Sequence, residues 1–322
     1  MNKKLSIVIP CYNQTALLET NLRCLERQVY KDFSIIIIDD RSSENYPAVI
    51  EKFSNLDIIY VRNDKNLGAM GNIFNSIFYK SGSQYQMSLH EDDAVHPYYL
   101  DMAIKSLDED DNISFVCTCA EWFKDNVELE NKLFDLKKIK EVEKLDCAGF
   151  VRSILDGKHI MWGSVVYRTS VLRPNELDIK KYMETYDVLC DRPFLISLIG
   201  LDRKIALVDE KAMFTRDHGE HDGRFKNITE QDNFNLMEFY HDSLPKPLNK
   251  SDAKKLLSFS TNILIYTYAS ILGNKRSFRD FMRAGKELGL INLRYMNKVG
   301  IVGVAKLLFG EKVINKITRS VK

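Results

Sequence analysis

The sequence predicts an α/β fold: a mostly parallel sheet with helices on both faces, followed by a C-terminal helical region. Three observations lead there. Over the first 120 residues, continuous apolar runs of strand length alternate with stretches of helical periodicity, the pattern of a sheet covered on both faces. Each of these runs stops at a polar cluster, and in such sheets ligands bind beyond the carboxyl ends of the strands. Past a proline pair, Pro245 and Pro247, the chain reads as helix alone and turns basic.

The elements follow in order. Residues 5–9 form a short apolar run closed by Pro10, and Leu17, Leu18, Leu22 and Leu25 then share one helical face. Residues 33–38 are rich in β-branched side chains and end at Asp39-Asp40. A strand is expected at 57–61, after which Met70, Ile73, Phe74, Ile77 and Phe78 repeat with helical spacing. Residues 85–89 make a fourth strand, ended by His90-Glu91-Asp92-Asp93. After an apolar run at 113–119, the charged stretch 124–144 reads as a solvated loop or helix. An apolar segment at 161–167, a helix near 191–199 and a strand at 205–208 complete a domain of residues 1–244. Residues 245–322 form a basic helical region.

Composition excludes several classes. The 322 residues carry 46 Lys and Arg against 45 Asp and Glu, a net charge of +1 that argues against a nucleic-acid partner. The charge is unevenly spread: residues 275–322 hold a surplus of +9, leaving −8 on the rest. Six cysteines with no CxxC pair read as reduced core residues. The five-residue apolar run after Met-Asn-Lys-Lys is too short for a signal-peptide core, so a cytoplasmic protein is expected. Residues 256–274 are uncharged and long enough to span a membrane, but Ser258, Ser260, Thr261, Asn262, Thr267 and Ser270 make them a poor hydrocarbon solute. A buried helix of a small bundle is expected instead.

The polar clusters admit plain and functional readings. Pro10-Cys11-Tyr12-Asn13 and Asp39-Asp40-Arg41-Ser42 are ordinary turn chemistry, or they hold a nucleobase between an aromatic face and a carboxylate. Asn66-Leu67-Gly68 is a helix entry with an unusual dihedral at Gly68, or it offers helix amides to a diphosphate. The three successive acids after His90 are a solvated turn, or they face a divalent cation that relieves their repulsion. Asp191, with Pro193 two residues on, reads as a helix start. A lone histidine is usually structural, but His218 lies in a glycine-bearing loop after a strand, which makes it a better ligand candidate than most.

Taken in order, strand-Pro-x-Tyr-Asn, strand-Asp-Asp-x-Ser, Asn-x-Gly before a helix, an acidic strand end, Asp191 and Arg-x-His resemble a family 2 glycosyltransferase with a GT-A type, Rossmann-like fold. The resemblance runs from residue 5 to about 224. It implies an inverting enzyme that moves a sugar from a nucleoside diphosphate, UDP-linked, to a glycan or lipid-linked acceptor. It also implies a divalent cofactor, Mn²⁺ or Mg²⁺. By the same resemblance Pro10, Tyr12, Asn13, Asp39, Asn66, Gly68 and Asp92 bind the nucleotide, and Asp92, Asp93 and His218 hold the metal. Trp162 and Gly163 line the sugar, and Asp191 is the general base. Two positions depart from the family pattern: His90 stands for the first Asp of its Asp-x-Asp motif, and Cys190 for the acid before the base.

These residue types suit the chemistry, since inverting transfer needs one base and one cation to stabilise the departing diphosphate. The basic tail admits two readings. One is a helical bundle that packs on the catalytic domain with a solvated basic face. The other, favoured here, is contact with an anionic membrane surface, where lipid-linked acceptors of O-antigen or capsule assembly reside, and thus a peripheral protein at the inner face of the cytoplasmic membrane. The alternative is a catalytically silent, sugar-nucleotide-binding scaffold subunit, which the substitutions at His90 and Cys190 keep open.

Overall fold

A computed structural model describes residues 3–134, 142–158, 160–172, 181–182, 185–186, 189–200, 202–217, 229–268, 278–297, 300, 301 and 304. The chain divides into two compact units. One comprises Met1–Asp146, His159–Leu177 and Leu198–Glu220; the other comprises Cys147–Lys158, Asp178–Ser197 and His221–Lys322.

The first unit contains one sheet. Its strands are β1 (Leu5–Cys11), β2 (Phe33–Asp39), β3 (Ile58–Arg62), β4 (Tyr85–Ser88), β5 (Ala94–Val95), β6 (Ile113–Phe123), β7 (Val142–Leu145), β8 (Val166–Arg168) and β9 (Lys204–Arg216). They lie in the order β3-β2-β1-β4-β8-β6-β9-β5, with β7 also on β9. Strands β3, β2, β1 and β4 are parallel. β8 is antiparallel to both β4 and β6, and β9 is parallel to β6. Two successive reversals restore the direction, so β6 and β9 end at the same sheet edge as β1 to β4. This is the mostly parallel sheet that the alternating pattern predicts, in the GT-A-like form that the resemblance implies.

Alternation along the strands makes two apolar faces. Ile7, Ile9, Ile35 and Ile37 pack with Leu18, Leu22 and Leu25 of α1 (Thr15–Glu26) in the main core. Val8, Ile36 and Ile38 form a second cluster on the other face. Between the strands the chain adds α2 (Tyr46–Ile50), α3 (Gly68–Ile77) and α4 (Tyr99–Glu109), the last burying Leu100, Ala103 and Leu107.

Some expectations needed tertiary contacts to resolve. The charged stretch 124–144 contains α5 (Asn126–Phe134) as well as β7; Leu129 and Leu133 of α5 are buried with Phe123 and Phe214. The segment at 161–167 splits into a tight turn, Trp162–Ser164, and β8. The strand expected at 205–208 continues to Arg216, because Ala212, Met213 and Phe214 resume the buried pattern beyond a charged interruption. All six cysteines are free, as read from their spacing. α7 (Thr169–Leu172) closes this part of the unit.

The second unit is helical among its described residues: α6 (Cys147–Leu155), α8 (Asp191–Ser197), α9 (Glu230–Asp242), α10 (Lys250–Thr267) and α11 (Phe278–Glu287). α9 starts with a reciprocal capping box between Thr229 and Asp232. Arg152 on α6 grips Asp252 on α10 through two hydrogen bonds of 2.8 Å. Of the polar residues that argued against a membrane span, Ser260, Thr261 and Asn262 are buried on α10; Ser260 Oγ donates to Leu290 O, and Asn262 donates to Tyr295 O and accepts from Asn297 N. Ser270 lies outside the described residues. Among the described residues no helix is long and apolar enough to cross a membrane.

Candidate active site

The ends of β1 and β2 are tied together by the residues proposed to bind the nucleotide. The Val8 carbonyl accepts from Leu89 N, so even-numbered residues of β1 face β4. The β1–β4 register stops at Val8, and Pro10 comes two residues later, where its missing amide costs no ladder bond. Asn13 has φ +53°, a left-handed conformation that Asn tolerates better than most side chains. Its amide donates to Ser42 Oγ at 3.1 Å, and its Oδ1 accepts from Ser43 N at 2.8 Å. That arrangement leaves the Tyr12 side chain 49% exposed at the tip of the bend.

Asp39 ends β2 fully buried. Its carboxylate accepts from Ser42 N (2.8 Å) and Tyr60 OH (2.6 Å), with Arg62 at 3.4 Å. Burial alone would raise its pKa; together the Ser42 and Tyr60 hydrogen bonds and the Arg62 charge outweigh it and hold the acid below its usual value. Asp40, which carried no separate assignment, anchors the next loop. Its carboxylate accepts from Asn63 Nδ2, Leu67 N and Gly68 N, while Asn66 Nδ2 donates to its carbonyl. Gly68, at φ +74° with open space where a Cβ would be, begins α3 by meeting a backbone requirement. Two amides at that helix start are thus engaged by the chain's own carboxylate, an anion placed where the helix dipole favours one.

The acidic turn after β4 sorts its carboxylates into different environments. Glu91 turns inward: it accepts from Tyr12 N at 2.9 Å and from Tyr46 OH at 2.7 Å, and burial raises its pKa. It braces the Tyr12 bend, a role that a run of three acids does not reveal. His90, Asp92 and Asp93 instead present ligand atoms within 4.8 Å of one another. Asp93 is 2% exposed, and among the described residues its Oδ1 has no hydrogen-bond partner. Burial first, then the neighbouring Asp92 charge, push its pKa well above the usual carboxylate value. His90 Nδ1 lies 3.6 Å from Asp93 Oδ2. A buried carboxylate oxygen without a donor, beside a second carboxylate and an imidazole, suits a divalent cation with oxygen and nitrogen ligands. Asn21 of α1, also unassigned from sequence, fixes this turn by donating to the carbonyls of His90 (3.0 Å) and Asp93 (2.8 Å).

The turn Trp162–Ser164 lies beside the acids. A Cβ added at Gly163 would come 3.5 Å from Asp93 Oδ2 and 3.6 Å from His90 Cγ, so the glycine admits close approach. Trp162 is held by a 2.7 Å hydrogen bond from Nε1 to Tyr167 OH and an edge contact with Phe74 of α3. In the second unit, Asp191 is the first residue of α8, and its carboxylate pairs with Arg192 Nη1 at 3.1 Å. His218 lies outside the described residues.

Comparison with known proteins follows the same lines. A family model, "Glycosyl transferase family 2", matches residues 6–173, just over half of the chain. A chondroitin synthase of Escherichia coli is 32% identical over 124 residues, covering 35% of this chain and 17% of that protein. A GalNAc(5)-diNAcBac-PP-undecaprenol beta-1,3-glucosyltransferase of Campylobacter jejuni is 33% identical over 95 residues, covering 29% and 30%. The chain thus spans a third or less of the length of these two curated relatives. Among solved structures, S. aureus TarS 1-349 in complex with UDP superposes with a TM-score of 0.59 at 16% identity, over 99% of this chain and 92% of that one. The fold is shared, and on the match to more than half of its length the chain belongs to glycosyl transferase family 2.

Proposed function

We propose that this chain is an inverting, metal-dependent glycosyltransferase that moves a sugar from a UDP-linked donor to a glycan or lipid-linked acceptor in cell-surface polysaccharide synthesis. The observation that carries this reading is the unpartnered Asp93 oxygen in the His90, Asp92 and Asp93 cluster, at the sheet edge that also bears Tyr12 and Asp39. Tyr12 offers an exposed ring to the face of the base, and Asp39 an ionised carboxylate to its N–H groups. Asp92, Asp93 and His218 are the residues that would hold Mn²⁺ or Mg²⁺, which supplies positive charge against the departing diphosphate. Gly163 keeps the space beside the acids clear for the sugar, and Trp162 lines it. Asp191 takes the proton of the acceptor hydroxyl.

The relatives' names support the acceptor class, one acting on an undecaprenol-linked glycan and another making chondroitin. TarS was crystallised with UDP, which favours a uridine donor. Residues 245–322 are proposed to contact an anionic membrane surface, placing the enzyme at the inner face of the cytoplasmic membrane.

A panel of UDP-, GDP- and dTDP-sugars tests the reading by transfer, and melting curves test its metal. UDP with Mn²⁺ should raise the melting temperature, because a ligand that binds only the folded state stabilises it by linkage. UDP binding that is equally tight in a chelator removes the metal from the proposal.

A further inference from the structure

The strand order separates two sides of the acidic turn. β1, β2 and β3 lie on one side of β4 and carry Tyr12 and Asp39; β6 and β9 lie on the other, with their carboxyl ends at the same edge. That far side ends in Trp122, paired with Thr215 across the β6–β9 ladder. Partners in a parallel ladder point to one face of the sheet. Met213, two residues before Thr215 and so on the same face, approaches Gly163: its Cε lies 3.1 Å from where a Cβ on that glycine would sit, and that position is 3.5 Å from Asp93 Oδ2. Trp122 therefore stands on the face that carries the acidic turn. The neighbouring residue makes the contrast: Phe123 points to the opposite face and is 1% exposed, whereas Trp122 is 51% exposed.

We propose that Trp122 is the platform on which a pyranose ring of the acceptor glycan stacks. The inference rests on the transfer reaction proposed above. An inverting displacement brings the acceptor hydroxyl in opposite the departing diphosphate, and the strand order puts Trp122 across the acidic turn from the nucleotide wall. An aromatic face is electron-rich and apolar, and the axial C–H groups of a pyranose present a positively polarised apolar surface to it. A large aromatic left half in water beside a reaction centre is suited to that contact.

Trp122 and Trp162 are the two tryptophans of the chain, so subtracting the emission of Trp122→Phe from that of the wild type isolates the Trp122 signal with Trp162 in place. The probes are the methyl β-glycosides of glucose, galactose, N-acetylglucosamine and N-acetylgalactosamine, titrated into protein loaded with UDP and Mn²⁺. At least one should quench or blue-shift the emission. With that glycoside as acceptor, Trp122→Ala should raise its KM about tenfold and Trp122→Phe only about two- to threefold, as expected for losing or shrinking one aromatic contact. UDP affinity, measured by calorimetry, controls for folding in each variant. Emission that ignores all four glycosides while UDP binds overturns the platform and leaves the donor site standing. An acceptor KM that Trp122→Ala moves by less than about twofold does the same. Wild-type protein that binds no UDP overturns the uridine donor of the proposed reaction, an outcome distinct from loss of the platform.

Discussion

Neighbouring carboxylates in this site take opposite roles because of where their side chains end. Glu91 finds two donors, Tyr12 N and Tyr46 OH, and becomes a brace for the bend it touches. Asp93 finds burial and the charge of Asp92, with one oxygen unpartnered. A raised carboxylate pKa means that the folded state carries the ionised form at a cost, which a bound cation would reverse. Asp93→Asn removes both the cost and the ligand. The variant is expected to melt no lower than wild type without metal, and to lose the additional stabilisation that Mn²⁺ confers in the presence of UDP. Calorimetric scans with and without Mn²⁺ check this, and a variant that keeps the full Mn²⁺ response would show that Asp93 is no ligand.

At the scale of elements, helix starts and strand ends are held by short polar links rather than by apolar packing alone. Asp40 secures the start of α3, Asn21 of α1 clamps the acidic turn, and Asn249 caps α10, whose Asp252 pairs with Arg152 of α6. The Arg152 hydrogen bond and charge hold the Asp252 carboxyl below its usual value. A lowered folded-state pKa contributes stability above the unfolded value, about 3.9, and that contribution is lost as pH falls through the folded one. Arg152 is partly exposed, so charged hydrogen bonds set the magnitude better than the bare Coulomb attraction does. Asp252→Asn should cost about 2 kcal/mol at neutral pH by urea denaturation. The gap to wild type should narrow below about pH 4 as the wild-type carboxylate protonates. A gap that stays constant down to pH 3 would mean that charge contributes nothing to this pair.

At the scale of the whole molecule, two proposals concern the helical unit by itself: its base and its basic surface. The proposed base, Asp191, belongs to the helical unit, in the first turn of α8. Asp191→Asn preserves shape and removes basicity, so transfer should fall about 10²–10⁴-fold with UDP affinity unchanged; transfer at the wild-type rate would assign the proton to another group. Truncating at residue 275 is a poor test of membrane contact, because Phe281, Leu290 and Ile291 are buried and Phe281 packs against Tyr268 and Phe234. Arg279, Arg283 and Lys286 are exposed on α11. Replacing all three with Glu should abolish binding to vesicles of anionic lipid, since each basic residue near such a surface contributes about 1 kcal/mol. Sedimentation that is the same for both proteins at low salt would remove the membrane from the proposal.

Local pattern by itself determines much of this molecule. The apolar runs ending at Pro10, Asp39 and His90 mark strands and the sheet edge that bears the candidate site, because period and strand-terminating polarity are properties of neighbouring residues. The same holds for the unusual dihedral at Gly68 and for the polar helix α10, whose Ser258, Ser260, Thr261 and Asn262 make it a poor hydrocarbon solute. Long-range pairing decided the rest. Whether Glu91, Asp92 or Asp93 turns inward depends on Tyr46 and Asn21, which lie 45 and 72 residues from the acids they bond. The reversal at β8 depends on strands that β8 meets only in the folded sheet. Trp122 reads in sequence as one more apolar residue near the end of a run. Only the β6–β9 register, joining residues 93 positions apart, sets its ring on the face of the acidic turn, because side-chain direction in a sheet follows from pairing as well as from order along the chain.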